Sequence, residues 1–349
     1  MKTLHDNLFR SLNPEQLALY ERLFETVTNK EGGLYFLYGP GGTVKTFLYN
    51  TILTKLRSEK MIVLAVASSG IASLLLLEGR TAHNRFVIPL ELMENSTCGI
   101  KQKTHLAALM HEARLIIWDK APMTQRYAFE ALDKTLRDIL GSKKEANRTK
   151  LFAGMPILIG GDFRQILPVI PKGKRQEVVN ACINRSELWK FCHLHTLSRI
   201  MRVNEYTLSG QIDSRKCAFN KWVLDVGDGN VPASSKEGDD EPSWIKIPEE
   251  FIVKNGINPI ETIVDTIFPE FHLRQDDEDY LRERAILTPG NDDADAINKH
   301  MFKKLQGETM TFKSSDEICK GYTDCIEQQQ SYPVEYLTSS IFRVCLLTN

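Results

Sequence analysis

The octapeptide Gly39-Pro-Gly-Gly-Thr-Val-Lys-Thr46 constrains the fold of this chain more than any other segment. It lies between an apolar run, Leu34 to Tyr38, and a segment with helical periodicity, Phe47 to Arg57. Consecutive glycines let backbone N–H groups curve around phosphate oxygens, and the following helix points the positive end of its dipole at them. A strand, a glycine-rich loop and a helix in this order predict a phosphate-binding loop in an α/β fold with a parallel sheet.

The loop departs at one position from the pattern G-x-x-x-x-G-K-[ST], because Val44 stands where the last glycine is expected. A β-branched residue tolerates unusual backbone angles poorly. We expect Lys45 to neutralise the outer phosphates of ATP and Thr46 to hold Mg²⁺. A chance glycine-rich turn before a buried helix is the alternative. The residues predicted to contact the nucleotide are Gly39, Gly41, Gly42, Thr43, Val44, Lys45 and Thr46.

A second strand, Arg114 to Asp119, ends in a carboxylate. In ATPases with this type of loop, an aspartate at such a strand end lies beside the metal, so Asp119 is the second predicted magnesium ligand. An aspartate that ends the strand without any role in metal binding is the alternative. The next residue is normally a glutamate that activates the attacking water, but here it is Lys120. A charged lysine has three donors and no acceptor, so it cannot take a proton from water.

Several strings along the chain resemble one family. They are GGDFRQILPVI at 160–170, SSGIASLLL at 68–76, GRTAHNRF at 79–86, LIIWDKAPM at 115–123 and MRV at 201–203. Together they resemble the PIF-type DNA helicases, which are RecA-like P-loop NTPases, and the match is close to the plant and Helitron-transposon branch. The resemblance runs from Leu12 to about Tyr336.

The resemblance assigns further roles. It implies that Gln16 reads adenine, that Gln165 senses the terminal phosphate and that Arg202 is an arginine finger. Together with Lys45 and Asp119, the last two complete the predicted catalytic set. Gln16 could alternatively be an ordinary residue on a helix surface. His83, which the resemblance places at the DNA, could alternatively be a buried core histidine. The residues implied to face single-stranded DNA are Ser69, Thr81, His83 and Phe86.

The resemblance also implies the domain plan. We expect a complete first RecA-like ATPase domain over 1–204, a linker or surface excursion over 205–250, a partial second RecA-like domain over 251–336 and an unmatched tail over 337–349. Apolar and periodic patterns predict strands at 34–38, 61–67, 115–118, 156–159 and 284–288, with helices at 127–140 and 292–301.

Composition narrows the functional classes. The net charge of −1 produces no field that would attract DNA to the whole protein, so DNA binding would depend on local basic groups and aromatic stacking. Scattered cysteines without a C-x-x-C pair indicate neither disulfides nor zinc. The apolar run 61–77 is interrupted by Ser68-Ser-Gly70, which argues against a membrane span. The basic residues that are candidates for contact with DNA phosphates are Lys101, Lys103, Lys143, Lys144, Lys172, Lys174 and Arg175. A solvated surface without phosphate contact is the alternative.

The resemblance implies an ATP- and Mg²⁺-dependent DNA helicase that moves five-prime to three-prime, with an expected location in the nucleus or in mitochondria. Its expected substrate is single-stranded DNA or tailed duplex DNA, and the family acts in repair, recombination, telomere maintenance and transposition. A catalytically impaired remnant that still binds ATP or DNA is the alternative, which Val44, Lys120 and the missing C-terminal motifs favour. A small-molecule kinase is a third alternative, which Gln165 and Arg202 weaken.

Overall fold

The computed structural model describes residues 1–199, 201, 213–236, 242, 244–254 and 256–305. The chain divides into two units, Met1–Ile245 and a second one that begins at Lys246. Residues 306–336 of the predicted partial second domain lie outside the described residues. The predicted tail over 337–349 lies outside them as well.

The first unit is built on a six-stranded parallel sheet. Its strands are β1 (Gly33–Tyr38), β2 (Ile62–Ala67), β3 (Arg80–Thr81), β4 (Ala113–Asp119), β5 (Pro156–Gly161) and β6 (Cys192–Thr196). Their order in the sheet is β3-β2-β4-β5-β1-β6. The predicted α/β fold with a parallel sheet is confirmed. The sequence patterns predicted all of these strands except the two outermost, β3 and β6.

Helices connect these strands and cover the sheet. In the first unit they are α1 (Lys2–Phe9), α2 (Pro14–Thr28), α3 (Lys45–Ser58), α4 (Gly70–Leu74), α5 (Ala82–Phe86), α6 (His105–Glu112), α7 (Arg126–Gly141), α8 (Arg175–Ala181) and α9 (Ser214–Asp228). Short 3-10 helices lie at Ala121–Met123, Glu145–Asn147, Leu151–Gly154, Ile183–Arg185 and Glu187–Phe191. The predicted helix at 127–140 is confirmed as α7, which buries Leu132, Leu136 and Ile139.

The two faces of the sheet carry separate hydrophobic cores because side chains alternate along each strand. In β1, Leu34 and Phe36 enter one core, while Tyr35 and Leu37 enter the other. The first core contains Trp118, whose ring lies 4.4 Å from that of Phe129 on α7. Burial on both faces explains why the strands read as continuous apolar runs.

In its described part, the predicted linker or surface excursion over 205–250 contains regular structure that the composition did not indicate. That part contains the 15-residue helix α9 and a short antiparallel pair, β7 (Ala233–Ser234) with β8 (Trp244–Ile245). Asp213 caps the start of α9 by accepting hydrogen bonds from two backbone N–H groups, and Gly229 ends the helix with φ 73°. The acid and glycine residues that suggested a linker are therefore partly a helix terminus.

The second unit contains α10 (Pro259–Ile267), α11 (Glu278–Arg282), α12 (Asn291–Lys304) and 3-10 helices at Glu249–Phe251 and Phe271–Leu273. All of these elements follow Lys246 in the sequence. Phe268, Phe271 and Tyr280 form its small described core. The predicted helix at 292–301 is confirmed as part of α12. The predicted strand at 284–288 is wrong, because those residues form neither strand nor helix.

Candidate nucleotide site and DNA-facing surface

The candidate nucleotide site lies where parallel strands end. β1 leads from Tyr38 into the glycine-rich loop, β4 ends at Asp119, and β5 ends one residue before Asp162. Because β4, β5 and β1 are neighbours in the sheet, their carboxyl ends bring these groups to one edge. Open α/β sheets bind ligands at this edge.

The loop folds around the ammonium of Lys45, which is 9% exposed. Lys45 Nζ donates to the carbonyl oxygen of Gly39 at 2.6 Å and to that of Pro40 at 3.3 Å. Gly42 has a φ of 92°. Val44 immediately precedes α3 with φ 58° and ψ 43°, which is the left-handed region. The structure therefore requires at position 44 the conformation that the expected glycine adopts freely.

Gln16 reaches the loop from α2. It is fully buried and forms a capping box with Asn13, whose backbone N–H donates to Gln16 Oε1 at 3.1 Å. Its Nε2 donates to the carbonyl oxygen of Thr43 at 3.4 Å. Gln16 is thus adjacent to the loop, as the resemblance implied, and is not a helix-surface residue. Adenine recognition by its amide stays a prediction.

Met201 lies against the same loop, since its backbone N–H donates to the carbonyl oxygen of Gly42 at 2.8 Å. Asn13 Nδ2 lies 3.3 Å from Met201 Sδ. The predicted arginine finger, Arg202, follows directly in sequence but lies outside the described residues.

Asp119 is the buried carboxylate of the site, at 3% exposure. Burial raises its pKa, while the hydrogen bond from the Lys120 backbone and the charges of Lys120 and Lys45 oppose that rise. The carboxylate and the hydroxyl of half-buried Thr46 supply oxygen ligands of the kind that Mg²⁺ prefers. The residue types therefore fit a magnesium ion, which would neutralise phosphate charge.

Lys120 occupies the position of the expected glutamate and contacts Gln165. Its Nζ donates to Gln165 Oε1 at 2.5 Å, and its backbone N–H donates to Asp119 Oδ1 at 2.8 Å. Gln165 Nε2 lies 3.4 Å from Asp162 Oδ2 and would lie 4.0 Å from a Cβ built on Gly41. Gln165 is therefore beside the loop, but its carbonyl oxygen is bound to the lysine ammonium.

Sequence reasoning missed two polar residues beside this site. Asp162 is 4% exposed and accepts a hydrogen bond from the backbone N–H of Arg164 at 3.1 Å. Arg164 in turn donates to both carboxylate oxygens of Asp228 on α9, at 2.6 and 3.1 Å. Asp162 and Arg164 lie in the string GGDFRQ, so that string could have identified them as candidate site residues. No sequence pattern pointed to Asp228.

The predicted DNA-facing residues lie at or just beyond the carboxyl ends of β2 and β3, at the same sheet edge. Ser69 caps α4, where its hydroxyl accepts from the backbone N–H of Ala72 at 3.2 Å, and Thr81 immediately precedes α5. Ser69, Thr81 and His83 are all partly exposed. Burial lowers the pKa of His83, which favours its neutral imidazole. DNA contact by these three residues stays a prediction.

Phe86 is a correction. Its side chain is fully buried in the core that contains Trp118, with 5.9 Å between the two ring centroids. A buried ring has no face available for stacking on a base, so the prediction that Phe86 contacts DNA is wrong for this conformation. The seven predicted basic candidates are exposed, and their contact with phosphate stays a prediction.

A phosphate-binding loop after the first strand of a parallel sheet, with a buried aspartate at the end of a neighbouring strand, defines the class of P-loop α/β proteins. A model of the PIF1-like helicase family matches residues 11–237. The chain belongs to the PIF1-like helicase family, which confirms the family that the sequence motifs indicated.

Individual relatives agree with that assignment. The chain is 24% identical over 291 residues to the ATP-dependent DNA helicase Pif1 of Psychrobacter sp., covering 82% of this chain and 37% of the relative. It is 28% identical over 217 residues to the ATP-dependent DNA helicase PIF1 of Danio rerio, covering 59% of this chain and 31% of the relative. The chain thus spans well under half the length of these relatives.

Solved structures include similar chains. A Pif1 helicase from a study of DNA unwinding at forked double-stranded DNA has 20% identity and a TM-score of 0.49, covering 63% of this chain and 49% of that one. The Pif1 helicase from Candida albicans has 23% identity and a TM-score of 0.45, covering 63% of this chain and 45% of that one. In the described part of the chain, every helix is too short or too polar to cross a membrane.

Proposed function

We propose that the first unit binds ATP with Mg²⁺ at the Gly39–Thr46 loop and single-stranded DNA beside Ser69, Thr81 and His83. The observation that carries this proposal is the convergence of the loop, Asp119 and Gln165 at neighbouring strand ends. In this assignment Lys45 neutralises the phosphates, and Thr46 with Asp119 holds the metal ion.

Family membership supports a broader proposal for the protein to which this unit belongs. It is an ATP-dependent DNA helicase that moves five-prime to three-prime and acts on single-stranded or tailed duplex DNA. Its proposed roles are DNA repair, recombination and telomere maintenance, in the nucleus or in mitochondria. Imaging of a tagged chain tests the location, and exclusion from both compartments would refute it.

A second candidate function is ATP binding without rapid hydrolysis. The specific observation in its favour is the 2.5 Å contact between Lys120 Nζ and Gln165 Oε1. Hydrolysis needs a group that accepts a proton from the attacking water, and a charged ammonium cannot do so. The same ammonium also occupies Gln165 Oε1, the side-chain atom that could accept a hydrogen bond from the attacking water.

The variant Lys120→Glu separates the two candidates. A correctly placed general base contributes roughly two to four orders of magnitude to the rate, so Lys120→Glu raises DNA-stimulated phosphate release by that factor if Lys120 limits catalysis. Lys120→Ala is the matched control, because it releases Gln165 without supplying a base. Wild-type turnover equal to that of Lys120→Glu would refute the second candidate.

Binding is measured separately from hydrolysis. Titration with a non-hydrolysable ATP analogue and Mg²⁺ should saturate the wild-type chain, and Lys45→Ala should abolish that binding while the fold is retained. Fluorescence anisotropy of a labelled single-stranded oligonucleotide should show salt-sensitive binding. Absence of nucleotide binding in the wild-type chain would refute both candidates.

A further inference from the structure

A recess of about 640 Å³ in the first unit lies along the first half of β2. Its wall includes the strand segment from Met61 to Ala65, together with Leu109 of α6. The basic residues in its lining are Arg57, Lys60, Arg80 and Arg85, and the acidic one is Glu78. The nucleotide loop is absent from this lining, because it follows β1 at the carboxyl edge of the sheet.

Arg57 has a structural role in this recess. Its guanidinium donates to the carbonyl oxygens of Leu77 at 3.0 Å and Val63 at 3.3 Å, and it pairs with Glu78 at 3.4 Å. The one acidic group of the lining is therefore already engaged by Arg57.

Arg80 and Arg85 have no carboxylate within ion-pair distance among the described residues. The Nε of Arg85 is buried and has no hydrogen-bond partner in that same part of the chain. Burial, and then the charges of Arg80 and Arg57, lower the pKa of Arg85. Neighbouring guanidinium charges repel one another, and an anion bound between them would relieve that repulsion.

We propose that this recess is a binding site for a phosphate group, held by Arg80 and Arg85. A guanidinium presents its donors in a planar fork that matches phosphate oxygens, and a phosphate in the recess would neutralise the neighbouring charges of Arg80 and Arg85. The volume also accommodates more than a single phosphate. The phosphate belongs either to a small phosphorylated molecule or to a nucleic-acid backbone.

The position of the recess links it to the DNA-facing surface. Arg80 and Thr81 together form β3, and Arg85 lies on α5 with His83. A ligand that holds both arginines would therefore restrain the two short elements that carry Thr81 and His83. The site itself does not depend on nucleotide binding at the loop or on DNA binding at Thr81 and His83.

Arginine modification by phenylglyoxal, located by mass spectrometry, tests the site directly because it reports on individual residues. The ligands are tripolyphosphate, inorganic phosphate and a single-stranded oligonucleotide, each compared with chloride at equal ionic strength. At a ligand concentration of about ten times Kd, mass action slows modification of Arg80 and Arg85 about tenfold. Arg148 is the control, because it is exposed and forms an ion pair with Glu145 at 3.3 Å.

The ligand comparison distinguishes the two sources. Protection by tripolyphosphate or inorganic phosphate indicates a small phosphorylated ligand, and protection by the oligonucleotide alone indicates the backbone. Protection in no sample, or equal protection of Arg148, would overturn the proposal. The local readout also separates this site from phosphate binding at the nucleotide loop.

A conservative substitution provides the second test. Arg85→Lys keeps the charge but loses the planar fork, so the ligand should protect Arg80 much less in this variant. Arg148→Lys is the matched control and should leave protection of Arg80 unchanged. If Arg85→Lys also leaves that protection unchanged, Arg85 does not bind the ligand and the proposed site is wrong.

Discussion

The left-handed backbone at Val44 leads to a quantitative prediction about stability. With φ 58° and ψ 43°, Val44 occupies a region that costs an L-amino acid roughly 1–2 kcal/mol. Two substitutions separate this backbone strain from the loss of the half-buried side chain. Val44→Ala removes most of the side chain but keeps Cβ, whereas Val44→Gly also removes Cβ.

The expected difference between these variants follows from two opposing terms. Glycine at position 44 avoids most of the roughly 1–2 kcal/mol of strain that alanine retains. Glycine also loses more chain entropy on folding, which costs about 0.5–1 kcal/mol relative to alanine. We therefore expect Val44→Gly to have a free energy of unfolding higher than that of Val44→Ala by about 1 kcal/mol.

Thermal and urea unfolding of the two variants without nucleotide measure this difference. For a unit of this size, Met1–Ile245, about 1 kcal/mol corresponds to a difference of roughly 2–4 °C in Tm. If Val44→Ala is as stable as Val44→Gly, or more stable, the loop does not hold position 44 in the left-handed region and the strain argument fails.

Nucleotide affinity provides the complementary measurement. Strain that is present both before and after binding cancels in the binding free energy, so the ATP affinities of the two variants should agree within about threefold. A gain of about tenfold for Val44→Gly, without a gain in unfolding free energy, would mean that strain develops only when nucleotide binds.

Other residues yield three further predictions. Asp133→Ala should lower the free energy of unfolding by about 1–3 kcal/mol in urea titrations, since it leaves the buried backbone N–H of Phe152 without its acceptor; an unchanged midpoint would contradict this. Phe86→Ala should cost about 3–5 kcal/mol of stability, whereas His83→Ala should weaken oligonucleotide binding with little loss of stability; the reverse pattern would restore Phe86 as a DNA contact. Burial lowers the pKa values of His83 and His195 below the usual 6.5, so the unfolded chain binds more protons and unfolding free energy should fall as pH drops below 6.5; His83→Asn with His195→Asn should flatten that dependence.

Much of the first unit follows from local sequence. The apolar runs predicted β1, β2, β4 and β5, and the spacing of Leu132, Leu136 and Ile139 predicted α7. Each of these patterns lies within one element, and burial on both faces of the sheet makes the pattern strong. The outer strand β6 was missed because its sequence, Cys192-His-Leu-His-Thr196, has few apolar residues and lies at a partly exposed edge.

Residue types also determined the candidate chemistry. Lys45, Thr46 and Asp119 were predicted from the loop and from a strand end, and the sheet brings those segments to one edge. Lys120 was recognised as a departure from the sequence itself. Its contact with Gln165, 45 positions away, depends on the adjacency of β4 and β5 and therefore required the tertiary structure.

Only the tertiary structure decided which polar and aromatic side chains reach solvent. Phe86 and His83 stand three residues apart on α5, yet Phe86 packs into the core and His83 stays partly exposed. The grouping of Arg57, Arg80 and Arg85 around one recess likewise joins α3, β3 and α5. Sequence periodicity shows which residues share a face of a helix or strand. Burial and the clustering of charges depend on neighbours that folding brings from distant positions in the sequence.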